Sequence, residues 1–379
     1  MLYLDHAATS PIRPEVLEAM APFLTRAFGN PSSHHTIGEA AAEALEGARS
    51  RVAHVLGMRT GDVVFTAGGT EANNLAVKGI VLAALGQGRR HVITTPIEHE
   101  SILESVAYLG RFHGVETTFL PVDGTGRVDP ADVATAIRPD TALVAIGHAN
   151  NEIGTIQDVA AIVAAAGSAG PVPVHVDAVQ SAGWLPLAGL GADAIAIAGH
   201  KLGAPKGIGA LAVRGRVPLE PLVHGGGQER GRRSGTENVA GAVALATALE
   251  LAEAEREATA PRVGAESARF IAGVLAAVPS ARLTGDPVHR LPGTVSFTFA
   301  DVSGEAVLLE LERRGVVSSS GSACAAGSDD PSHVLLACGI APAVAQTSVR
   351  FTLGREGLPG DGPERLAALV AESVAAVAG

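Results

Sequence analysis

Cysteine is almost missing from this chain: two residues in 379, Cys324 and Cys338. That excludes a disulfide framework, and neither lies in a CxxC spacing, so a structural zinc site has no support. Aromatic residues are scarce at 3%, so the core must be assembled mainly from Ala, Val, Leu and Ile. Basic residues are outnumbered, 28 against 39 acidic ones, for a net charge of -11. Such a balance argues against direct nucleic-acid binding, which needs clustered Lys and Arg to neutralise phosphates, and suits solubility instead. No basic segment followed by an apolar run stands near Met1, and apolar runs such as Ala194-Ile-Ala-Ile-Ala198 are far too short for a bilayer. No membrane association and a cytoplasmic location are therefore expected.

What is present is a compact, alanine-rich chain with 47% hydrophobic residues and 46 glycines. Strand-like runs alternate with helical stretches over roughly the first two-thirds, the pattern of an α/β fold with a mostly parallel sheet. Val63–Thr66, His91–Thr94, Ala142–Ile146, Val172–Val176 and Ala194–Ala198 read as strands, with Pro173 weakening the fourth or standing at its start. Glu71–Leu85 reads as a helix, and so does Val239–Ala258. After Pro261 the pattern changes to a further helix, a strand at Thr294–Phe299, a helix from Gly304, a Ser/Gly-rich stretch, a strand at Ser348–Thr352 and a terminal amphipathic helix. This predicts a large domain over 13–255 and a smaller α/β domain formed by 1–12 and 256–379.

Three local patterns carry chemistry. Ala198-Gly-His-Lys201 follows the end of an apolar strand, where ligands of open α/β sheets bind, and a partly desolvated lysine there suits a Schiff base. The bland alternative is a loop lysine on the surface. Ala67-Gly-Gly-Thr-Glu71 joins a strand to a helix, so free N–H groups and the helix dipole could receive a phosphate. A plain glycine turn competes, while GxGxxG and the P-loop pattern are absent. Asp177 ends the strand Val174-His-Val-Asp177, where a carboxylate could hold a protonated pyridine nitrogen; otherwise it caps a turn. The separation of Asp177 from Lys201 leaves room for one βαβ crossover that would return both to one sheet edge.

Taken together with Tyr3-Leu-Asp-His-Ala-Ala-Thr9, Gly29-Asn-Pro-Ser-Ser33, Glu98-His99, Asn150-Asn-Glu-Ile-Gly154, His175-Val-Asp-Ala-Val-Gln180, His224-Gly-Gly-Gly227, Arg233-Ser-Gly-Thr236, Ser320-Gly-Ser-Ala-Cys324 and Arg350-Phe-Thr-Leu-Gly354, the chain resembles a cysteine desulfurase of the NifS/IscS type over essentially its whole length. The resemblance implies the fold-type I, class V aminotransferase-like architecture, with a mostly parallel seven-stranded sheet between helices. It implies pyridoxal 5'-phosphate as cofactor, L-cysteine as substrate, a homodimer, and a sulfur-acceptor protein as partner. Lys201 would hold the cofactor and shuttle the Cα proton. Gly69, Thr70 and His200 would hold the phosphate, with Thr236 reaching across from the second subunit. His99 would stack on the ring and relay protons, Asp177 would pair with the ring nitrogen and Gln180 with the phenolic oxygen. Asn151, at the border of cofactor and substrate, and Arg350 would hold the substrate carboxylate. One departure stands out: the family places Ser or Thr before Gly-His-Lys, and this chain has Ala198, so one hydroxyl ligand of the phosphate is lost.

Cys324 is the expected acceptor of the sulfur. Its surroundings, Ser318 to Asp330, are small and polar with no bulky side chain to pack, as suits a thiol that must meet both substrate and partner. Cys338 sits in the apolar Val334-Leu-Leu-Ala-Cys-Gly339 and reads as a small hydrophobe. His34-His35 reads as structural, and no metal is expected. The readings to be separated from desulfuration are a selenocysteine lyase, another aminotransferase on this scaffold, and a docking protein of weak activity.

Overall fold

The computed structural model describes residues 1–321 and 330–379. In chain order the strands are β1 (Leu2–Tyr3), β2 (Val63–Thr66), β3 (His91–Thr94), β4 (Glu116–Phe119), β5 (Thr141–Gly147), β6 (Val174–Asp177), β7 (Ala194–Ala198), β8 (Gly209–Val213), β9 (Ala281–Leu283), β10 (Thr294–Phe299), β11 (Val316–Val317) and β12 (Val349–Thr352). β2 to β8 form one seven-stranded sheet in the order β2-β8-β7-β6-β5-β3-β4. β8 pairs antiparallel with both β7 and β2, and the other pairings are parallel.

Both faces of this sheet are buried, as a mostly parallel sheet requires. The alternation along β7 shows how: Ile195 and Ile197 enter one apolar cluster, and Ala194 and Ala196 the opposite one. The first cluster is closed by the helices Thr36–Leu56, Val159–Ala169 and the start of Val239–Ala277, the second by Gly69–Leu85 and Glu100–His113. A separate core lies around the antiparallel sheet β12-β10-β9, where Phe270, Phe297, Phe299 and Phe351 meet at ring-centroid distances of 5.2 to 6.5 Å. Four of the chain's nine phenylalanines thus supply the bulk of the smaller core.

The expected strands lie within a residue or two of their positions, and Pro173 falls just before β6, outside the ladder. Two expectations are corrected. The chain between β6 and β7 contains turns and bends but no helix, so the crossover from Asp177 to Lys201 is not a βαβ unit. One helix runs unbroken from Val239 to Ala277 through Pro261, where the sequence suggested two. Proline removes one helical hydrogen bond, but packing on both sides outweighs it: Val243, Leu245 and Leu249 join the large core, and Val263, Phe270 and Val274 the smaller one. Among the described residues no helix is long and apolar enough to cross a membrane.

Candidate active site

A cavity of about 1040 Å³ opens at the carboxyl ends of the main strands. Its lining includes Gly69, Thr70, His99, Asn151, Asp177, Gln180, His200, Lys201 and Arg350. The structure therefore brings together every site residue proposed from sequence except two. Thr236 is exposed and does not line the cavity of its own chain. Cys324 lies outside the described residues.

Register explains the convergence. Asp177, the last residue of β6, pairs with Ala196 of β7 on one side and Gly147 of β5 on the other. Lys201 follows three residues after the end of β7, in the short 3₁₀ turn Gly199–Lys201. Its ammonium donates to the Ala7 carbonyl and, at 2.8 Å, to that of Ala8. Gln180 also donates to the Ala7 carbonyl, at 3.2 Å, and the His200 ring lies 3.3 Å from the Thr9 hydroxyl. The N-terminal segment is thus a wall of the site rather than a tail.

Asp177 is held on both oxygens: Oδ1 accepts the Val179 N–H at 2.9 Å and Oδ2 accepts Asn73 Nδ2 at 2.7 Å. Asn73 is buried, donates also to Ser101 Oγ at 2.9 Å, and accepts at Oδ1 from His175 Nε2 at 3.0 Å. Ser101 in turn donates its N–H to His99 Nδ1 at 3.0 Å, so a neutral His99 carries its proton on Nε2. Burial presses His175 down to about 4, keeping it a neutral donor to Asn73. Sequence reasoning missed Asn73 and Ser101. The available signal was an amide on the buried face of a helix that otherwise shows Ala72, Leu75, Ala76 and Val77 to the core.

Beside Asp177, Glu98 is buried, accepts the Thr95 hydroxyl at 2.7 Å, and is pushed up to about 8, chiefly by burial, with the Asp177 charge adding to the rise. It therefore holds a proton at neutral pH. His200 is lowered to about 4 by burial and by the cations Lys201 and Lys206.

The wall of the cavity around Arg350 is built from remote segments. Arg350, 2% exposed, donates to Asp5 Oδ1 and to the Asn151 carbonyl, both at 2.8 Å. Asn150 folds the turn that presents Asn151: its Oδ1 accepts the N–H groups of Glu152 and Ile153, and its amide donates to the Ile97 carbonyl. Gly154 closes the turn at φ 77, where an added Cβ would lie 2.9 Å from that of Thr294. Cys338, read from sequence as a buried small hydrophobe, is half-buried at the end of the short helix His333–Ala337, and burial raises its thiol to about 11. His35 accepts the Gly38 N–H as a helix cap, a structural task.

The donor set fits pyridoxal 5'-phosphate. The helix Gly69–Leu85 starts with no side-chain cap, so its first N–H groups and its dipole remain available to a phosphate. Gly69 leaves no room for a side chain: a Cβ there would stand 2.7 Å from Val179 and 3.3 Å from Ala198. An amine, a doubly anchored carboxylate and a capped imidazole complete the set. Ala198 is buried in the cavity wall and offers no hydroxyl.

Fold and cavity together are those of the fold-type I architecture shared by pyridoxal-phosphate enzymes. Residues 2–356 match the family described as Aminotransferase class-V. The chain is 44% identical over 355 residues to the cysteine desulfurase IscS of Dictyoglomus turgidum, covering 93% of this chain and 89% of that protein. It is 45% identical over 368 residues to the IscS-like cysteine desulfurase of Mycobacterium tuberculosis, covering 95% and 93%. Among solved structures, a NifS-like protein superposes with a TM-score of 0.91 at 34% identity over 99% of both chains. SspA, solved in complex with cysteine, superposes at 0.82 with 36% identity, covering 93% of this chain and 99% of that one. The chain belongs to the class V aminotransferase family, in its branch of NifS/IscS-type cysteine desulfurases.

Proposed function

We propose that this protein converts L-cysteine to L-alanine and passes the sulfur to Cys324 as a persulfide, for delivery to an acceptor protein. The observation that carries the reading is the convergence of Lys201, Asp177 and the uncapped start of the Gly69–Leu85 helix on one cavity that also contains Arg350. Similarity to cysteine desulfurases over more than nine-tenths of the chain supports the choice of substrate.

Pyridoxal 5'-phosphate, when bound, supplies an electron sink conjugated to the substrate Cα. Gly69, Thr70 and His200 hold its phosphate, Asp177 keeps a proton on the ring nitrogen, and Gln180 meets the phenolic oxygen. Arg350 and Asn151 bind the substrate carboxylate, which fixes Cα within reach of Lys201. Lys201 Nζ takes the Cα proton and later returns one. The Cys324 thiolate attacks the substrate sulfur: an S–S bond forms, the Cβ–S bond breaks with its electrons left on carbon, and Cβ gains a proton to become a methyl group. The substrate sulfur is oxidised to the persulfide level as Cβ is reduced, so no outside oxidant is needed. His99 Nε2 serves as the proton carrier.

Two further parts of the reading concern assembly. The chain forms a homodimer in which Thr236 completes the phosphate site of the partner; its exposure and its absence from the cavity of its own chain support this. The division into a large domain, 13–255, and a smaller one, 1–12 with 256–379, is supported by separate apolar cores at the two ends of the helix Val239–Ala277. The acceptor belongs to iron–sulfur cluster assembly, tRNA thiolation, or sulfur modification of DNA or a cofactor, and the site is located in the cytoplasm on this reading.

The test is to supply cofactor-loaded protein with L-cysteine and a thiol, and to quantify alanine and sulfide for wild type, Lys201→Ala and Cys324→Ser. Wild type is expected to yield both products and the two variants neither. Alanine production that survives Cys324→Ser would sink the persulfide step. Preference for selenocysteine over cysteine in kcat/KM would instead favour a selenocysteine lyase.

A further inference from the structure

Glu152 has no role in the chemistry above, yet it is 4% exposed, and a buried carboxylate needs a reason. It lies in the turn Asn150–Gly154, next to Asn151, whose carbonyl accepts from Arg350. Its own N–H donates to Asn150 Oδ1 at 2.9 Å, so its backbone is held by the same turn. Two pieces of chain from beyond this turn meet its carboxylate. Ser332 donates its hydroxyl to Glu152 Oε2, and the same Ser332 oxygen accepts the Leu335 N–H as the cap of the helix His333–Ala337. Gly321 is packed so closely from the other side that a Cβ on it would stand 3.2 Å from Glu152 Oε2.

The neighbours of these two residues are tied to the site as well. Ser319 exchanges backbone hydrogen bonds with Arg350, at 3.1 and 2.7 Å. The His333 ring lies 3.1 Å from the Glu98 carbonyl. Gly321 and Ser332, which lie on either side of Cys324 in sequence, are thus both neighbours of one carboxylate.

We propose that Glu152 is a positioning residue for sulfur transfer: it fastens Ser332, and packs beside Gly321, so that these two flanks of the stretch that bears Cys324 are held at the turn that carries Asn151. This rests on the desulfurase reading above and deepens it: one buried side chain couples the place where the substrate carboxylate is bound to the points from which the thiol is presented. Burial raises the Glu152 carboxyl above its ordinary range, with the Ser332 hydroxyl, His333 and Arg350 opposing the rise and Glu100 adding to it. Because the contact that matters is acceptance of a hydroxyl hydrogen bond, an amide can stand in for the carboxylate.

The experiment compares cofactor-loaded wild type with Glu152→Ala, Glu152→Gln and Ser332→Ala. In each, substrate entry is followed by the absorbance change on adding L-cysteine, and sulfur transfer by the rate at which Cys324 becomes a persulfide in a single turnover. Glu152→Ala and Ser332→Ala are expected to slow persulfide formation about tenfold, the loss of one hydrogen bond, while substrate entry keeps its wild-type affinity. Glu152→Gln is expected to recover most of the rate. Wild-type persulfide formation in both alanine variants would overturn the proposal, as would an equal loss in entry and transfer, or a glutamine variant as slow as alanine. Should Glu152→Ala fail to fold, Ser332→Ala reads the same contact from its other side. Absence of alanine from the wild-type protein would strike the desulfurase reading itself, an outcome separate from any difference among variants.

Discussion

The Asp177 side of the cavity, where the cofactor is proposed to bind, and the Arg350 side, proposed for the substrate, are built on different principles. On the cofactor side, Asp177, Asn73, His175, Ser101 and His99 form a continuous hydrogen-bonded network on strand ends and on the two helices that flank them. On the substrate side, Arg350 of β12 is held by Asp5 and the Asn151 carbonyl, and Glu152 by residues of yet other segments. The first arrangement holds the Asp177 carboxylate with little freedom to move. The second joins distant pieces of chain, so one lost contact there loosens several segments together.

Removing Arg350 should separate the two sides most clearly. Arg350→Ala leaves the largely buried Asp5 carboxylate without its cation, and should cost roughly 3 kcal/mol of stability. It should also raise KM for L-cysteine by about a hundredfold, the order expected for a charge-assisted pair, with little change in cofactor affinity. Thermal unfolding and cofactor titration check both halves. Asn73→Ala should do the reverse. It strips partners from Asp177, Ser101 and His175 at once, so stability falls by about 2 kcal/mol and the cofactor binds more weakly, while KM for cysteine in the loaded enzyme changes little.

Glu98 gives a pH test of the cofactor side. Its pKa is raised in the folded protein to about 8, so the native state keeps a proton that the unfolded chain releases. This contribution to stability is fully present below the ordinary carboxyl range and is lost as pH rises through about 8. Glu98→Gln cannot ionise, so its melting temperature should decline less than that of wild type across that window. Equal declines would assign the pH dependence to another group. The smallest effect concerns Ala198. Ala198→Ser restores a hydroxyl at the cavity wall and should tighten cofactor binding several-fold, the yield of one added hydrogen bond.

Much of this molecule was legible in the sequence because the signals were local. β7 is five small and branched apolar residues ending at Gly-His-Lys, and its alternation survives as two buried faces. Lys201, Asp177 and Gly69 could be placed because they stand just after a strand, at the end of one and at the start of a helix. The unbroken helix through Pro261 was not legible, since the contacts that stabilise it come from both cores. Nor was the role of Asp5 or Glu152 visible, although each stands in a quoted motif: their partners lie at Arg350 and Ser332, and no periodicity reports such a pairing. Asn73 was hidden by its position inside a helix, where an amide usually faces water.

On the proposed mechanism, Lys201 moves the Cα proton of cysteine and the substrate sulfur passes directly to Cys324. The most direct test is a single turnover with enzyme in excess over L-cysteine, quenched and analysed by mass spectrometry of the Cys324 peptide together with alanine. The account predicts one alanine formed per cysteine consumed and a matching gain of one sulfur atom on Cys324, with Cys338 unchanged. Alanine formed at that yield while the Cys324 peptide keeps its mass would contradict it.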